Sequence, residues 1–105
     1  MLIDIDISLL TPKSAVGRLY GAIELAHLPK IGETVSLPIA ASADAGFNGH
    51  TVVEHVIRSI GTSARPLLSL GDIVASDEAA ARSIASALEK AYGLFFEQYD
   101  HANDR

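Results

Sequence analysis

Two aspartates separated by one residue, Asp4 and Asp6, are the first groups in this sequence whose type and spacing bear on chemistry. On an extended strand such residues share a face and stand about 7 Å apart. That spacing serves a hard cation only where several further oxygen ligands converge, and the sequence marks none. The pair reads as the water-facing side of a half-buried strand, where charge also discourages edge-to-edge association.

The imidazoles come next. His27, His50 and His55, with Glu24 and Glu54, are the groups that could meet in a sheet, but their spacing follows no zinc pattern. If 51–60 is a strand, Glu54 and His55 point to opposite faces, and His50 stands about 13 Å from Glu54, too far for one ion. No metal and no cofactor is expected. One chemical alternative stays open: a small-ligand or enzymatic site in which the 40–49 loop meets His27, Glu54 and His55, provided these side chains converge on a concave pocket.

Nucleophilic catalysis lacks its usual local geometry. There is no cysteine, and no Gly-x-Ser-x-Gly elbow surrounds any hydroxyl. Gly46-Phe47-Asn48-Gly49 is neither a P-loop nor a dinucleotide fingerprint. Nucleic acid is disfavoured by a net charge of −5 and by a single aromatic, Tyr20, in the expected strands.

The elements that must position these groups follow from periodicity. Ile3, Ile5, Ile7 and Leu9 alternate with Asp4, Asp6 and Ser8, a half-buried strand over 2–10. After Thr11-Pro12-Lys13-Ser14, Leu19, Ile23 and Leu25 alternate with Tyr20, Ala22 and Glu24, a second strand antiparallel to the first. A short third strand spans 33–39, with Pro38 marking an edge or an early end. The 40–49 segment, small and polar, is expected to be the most mobile.

Residues 51–60 fit helix by periodicity, but six of the ten are β-branched, and strand is preferred. In 67–75, Leu68, Leu70, Asp72 and Val74 share a face opposite Leu67, Ser69 and Ile73, with a bulge or bend at Gly71. Ser76 caps a helix running to about Tyr99, and Asp77 and Glu78 complement its dipole. The tail 101–105 is expected to fray.

At 105 residues the chain suits one domain and one core. The fold expected is α+β: a small, mostly antiparallel sheet of four to five strands, able to curl into a partial barrel, followed by one long carboxyl-terminal helix. No apolar stretch reaches the roughly 20 residues of a membrane span, no signal peptide is evident, and the lack of cysteine fits the cytoplasm.

The helix carries the functional expectation. A wheel centred on Ile84 places Ala80, Leu88, Ala91 and Phe95 within about 40° of it, and Tyr92, Tyr99, Phe96 and Leu94 widen the apolar arc to about 200°, twice an ordinary stripe. One sheet covers one side of such a helix, leaving the other for a partner. The sequence thus predicts a non-enzymatic module that self-associates as a homodimer and binds a protein partner, its interface including Tyr92, Leu94, Phe96 and Tyr99.

Overall fold

The computed structural model describes residues 1–39, 47–57 and 65–99. Among them are seven strands and one helix: β1 (Leu2–Leu10), β2 (Ala15–Glu24), β3 (Thr34–Ser36), β4 (His50–Ile57), β5 (Leu67–Leu70), β6 (Ile73–Val74), α1 (Glu78–Tyr92) and β7 (Phe95–Gln98). The protein is α+β, but its sheet is larger than expected and mixed. Strand order is β3-β4-β5-β1-β2-β7, and β6 also pairs with β1.

The expected hairpin forms. β1 and β2 are antiparallel with Ile5 opposite Gly21 and Asp6 opposite Tyr20, and Thr11 closes the turn by accepting the Lys13 and Ser14 amides on its hydroxyl at 3.2 and 3.1 Å. Side-chain caps of this kind favour turns over continued strand. The expectation of an antiparallel sheet fails at the centre, where β5 and β6 both run parallel to β1. β6 and β7 consequently run the same way on opposite sides of the β1–β2 pair, and a parallel crossover needs a covering element. α1 is that element.

β4 confirms strand over helix for its first residues: it pairs antiparallel with β3 and β5, with an irregularity between Val53 and His55. Residues 58–60 lie outside those described, as do 40–46 of the expected mobile loop and the tail 101–105. β3 is one edge of the sheet among the described strands, as Pro38 suggested, and at Thr34–Ser36 it is shorter than the 33–39 expected.

Two readings of local phase are corrected. The single alternation drawn through 67–75 breaks at Gly71-Asp72, so that Leu68, Leu70 and Ile73 are all buried while Val74 is exposed. Backbone bonding drives the break: Gly71 donates to the Val52 carbonyl at 2.8 Å and its own carbonyl accepts the Thr51 hydroxyl at 3.0 Å.

The helix is shorter than the 77–99 expected, at both ends. Its N-cap is Asp77, whose carboxylate accepts the Ala80 amide at 2.8 Å, in place of Ser76. Its stop is Gly93, at φ 69° and ψ 26°, whose amide closes on the Glu89 carbonyl at 2.9 Å. Glycine adopts this left-handed cap without the steric cost of a Cβ. Leu94 then drops into the core over Gly21, and the aromatic run becomes β7, antiparallel to β2.

The core lies between α1 and one face of the sheet. Ile3, Ile5, Ile7 and Leu9 meet Ala81, Ile84, Ala85 and Leu88, all fully or almost fully buried. No helix among the described residues is long and apolar enough to cross a membrane.

Candidate functional site on the open face of the sheet

The same alternation that sends four β1 side chains to α1 sends Asp4 and Asp6 to the other face. Register fixes their neighbours: Asp4 lies between Ala22 and Leu67, Asp6 between Tyr20 and Ser69. On the far side of β2, β7 places Phe95 beside Tyr20 and Glu97 beside Arg18. The small Ala22 side chain at the middle leaves a hollow of about 470 Å³ between the Leu67–Arg65 side and the Tyr20–Phe95 side. That volume falls within the range of ligand-binding clefts.

Charges and rings in the hollow and at its margin form a connected row. Arg65 Nη2 lies 3.3 Å from Asp4 Oδ1. Arg18 reaches Asp6 Oδ2 through Nη1 at 3.5 Å and Glu97 Oε1 through Nε at 3.2 Å. The Nε atom is buried but not aligned for a hydrogen bond, so the Glu97 contact is electrostatic in character. The guanidinium carbon sits 4.5 Å above the Tyr20 ring, a cation–π distance. The Tyr20 and Phe95 rings follow at 5.7 Å and 33°, and Phe95 is 60% exposed.

These ion pairs are wet. Side-chain exposure is 36–37% for Asp6 and Arg18, 48% for Arg65 and 60% for Glu97, so each pair is worth about 0–1 kcal/mol. They orient side chains cheaply and can be exchanged for an incoming charge.

The chain matches no protein-family model, no curated protein and no solved structure. Its site therefore stands on geometry alone.

The residues singled out in the sequence are dispersed. His27 is exposed and stands 3.9 Å from Glu33; Glu54 and His55 are exposed on β4, and His55 aligns with Ser69 at the margin of the open face. No contact joins the three, and among the described residues no group of three or more His, Asp or Glu side chains is placed to hold a metal ion. The 40–49 loop that was to complete this site falls mostly outside the described residues.

The four expected interface residues are largely engaged within the chain. Leu94 is core, at 3% exposure, and Phe96 is half-buried on the α1 side of the sheet. Tyr92 donates its hydroxyl to the Pro38 carbonyl at 2.7 Å, and burial raises its pKa. Tyr99, also half-buried, donates its amide to Val16 at 2.9 Å. The apolar arc of 200° disappears because residues beyond Gly93 are not on the helix.

What sequence reasoning missed is the chemistry of the polar face. Arg18 and Tyr20 stand two apart on the wet side of a recognised strand, and that signal was available. Phe95 was not legible until Gly93 ended the helix, and nothing local marks Arg65 as the partner of Asp4.

Proposed function

We propose that this protein is a non-enzymatic binding module that docks a protein partner on the open face of its sheet, and that the docked element is an extended segment bearing arginine or lysine. The observation that carries this reading is the hollow itself: an aromatic wall of Tyr20 and Phe95 beside the carboxylates Asp4 and Asp6, with Glu97 at its margin on Arg18, on a face that no element among the described residues covers.

Aromatic faces and carboxylates together attract a cationic side chain, through ring quadrupole and Coulomb attraction at once. Carboxylates outnumber guanidinium groups along the row, and the whole chain carries −5, which favours encounter with a basic partner. Tyrosine, phenylalanine and arginine on one accessible patch are the composition of association surfaces. A partner cation can replace Arg65 at Asp4 at little cost, given the exposure of that pair.

The test is a titration of isotope-labelled protein with two model peptides, one alternating arginine with valine and one alternating glutamate with valine. The arginine peptide is expected to shift the amide signals of Asp4, Asp6, Tyr20 and Phe95, less so at high salt, and the glutamate peptide to leave them in place. Equal response to both peptides, or shifts confined to α1 and β3, would refute the reading.

A further inference from the structure

β7 is the outer strand at one end of the sheet. Its inner side is paired: the Tyr99 amide donates to Val16, and the ladder to β2 runs from Phe95 to Gln98. Because backbone groups alternate sides along a strand, the amides and carbonyls of Phe96 and Gln98 face outward. An outer strand of this kind is a template for another chain unless something occupies it.

Something does. The carboxylate of Glu89, on the last turns of α1, accepts the outward Phe96 amide at 3.3 Å. Gly93 makes this possible by turning the chain so that β7 runs back alongside the helix that precedes it.

We propose that Glu89 is a guard on this edge, holding it closed to a second copy of the chain. An antiparallel strand pair is two-fold symmetric, so β7 is complementary to itself and the second copy is the natural occupant. Two registers place Phe96 opposite an outward residue of β7 in the second copy. With Phe96 paired to Gln98 of the second copy, Glu97 stands directly opposite its own counterpart, and like charges so placed repel. With Phe96 paired to Phe96, Glu97 faces Phe95 and that repulsion is absent. Both registers need the amide that Glu89 holds. Glu97 and Glu89 both oppose the first register, and Glu89 alone closes the second, which side chains would otherwise allow.

Glu89 is exposed, so its replacement spares the core. Glu89→Ala is expected to strengthen self-association by at least about tenfold in sedimentation equilibrium, the equivalent of one hydrogen bond to a charged group. Hydrogen exchange at Phe96 and Gln98 should slow as protein concentration rises. Glu89→Gln, which keeps an acceptor oxygen, should behave as the wild type. Association of Glu89→Ala no tighter than wild type, tightening without protection of the two amides, or equal tightening in Glu89→Gln would each overturn the proposal.

Discussion

Arg18 sits over Tyr20, its guanidinium carbon 4.5 Å from the ring centroid, while its nitrogens reach Asp6 on one flank and Glu97 on the other. One side chain thereby ties three strands together on the face opposite the helix. Its contacts are exposed, so what they provide is placement of the aromatic and acidic groups more than stability. This distinction between placement and stability governs how substitutions should behave.

Phe95→Ala should separate binding from folding. The ring is 60% exposed and meets Tyr20 at its edge of the hollow, so unfolding free energy should change by no more than about 1 kcal/mol. Binding of the arginine peptide should weaken measurably. Thermal melts and the peptide titration, run on the same sample, check both halves.

The preceding residue should behave in the opposite way. Leu94 is buried over Gly21, and Leu94→Ala should cost about 2–5 kcal/mol, as cavity-forming core substitutions do. Urea unfolding measures this. A loss below about 1 kcal/mol would mean that Leu94 does not belong to the core.

Gly17→Ala tests the docking of β7. A Cβ at this position would run into the Glu97 carbonyl and stand 2.7 Å from Phe96 Cε1, leaving backbone no room to yield. Overpacking of this sort costs about 1–3 kcal/mol. The measurement is urea denaturation, with hydrogen exchange at Glu97 and Tyr99 expected to accelerate as the β2–β7 ladder loosens.

Tyr92 gives an alkaline limb. Burial raises its pKa above 10.0, so the folded state holds the phenol proton more tightly than the unfolded chain does. The associated stability is complete below about pH 10 and declines as pH rises through the folded-state value. Tyr92→Phe should remove this decline in pH-dependent melts, and should cost about 1 kcal/mol at neutral pH through loss of the bond to Pro38.

Asp77→Ala addresses the start of the helix. Loss of the cap on the Ala80 amide should destabilise by about 1 kcal/mol, and Asp77→Ser should recover most of it. Thermal denaturation of the two variants decides this, since equal loss in both would show that the cap hydrogen bond is not the source.

Much of this architecture is written locally. The period of two in 2–10 assigns Ile3, Ile5, Ile7 and Leu9 to the core and Asp4 and Asp6 to the opposite face, because a pleated strand allows no other division. The antiparallel hairpin follows from a four-residue turn, and β-branching at 51–57 outweighs a helical period. Each of these is settled by residues within a few positions of one another.

The remainder depended on distant partners. That β5 and β6 lie parallel to β1 is a matter of pairing between segments about sixty residues apart, and no local pattern encodes it. The Phe95–Tyr99 run suits a helix face or a strand, and Gly93 within a helical pattern is either tolerated or terminal. Burial of Leu94 against β2 and the ladder from Tyr99 to Val16 decide for termination. The sequence alone determined which faces are apolar; tertiary pairing determined what meets them, and so turned an apparent surplus on one helix into core and edge strand, leaving the acidic and aromatic face of the sheet uncovered among the described residues.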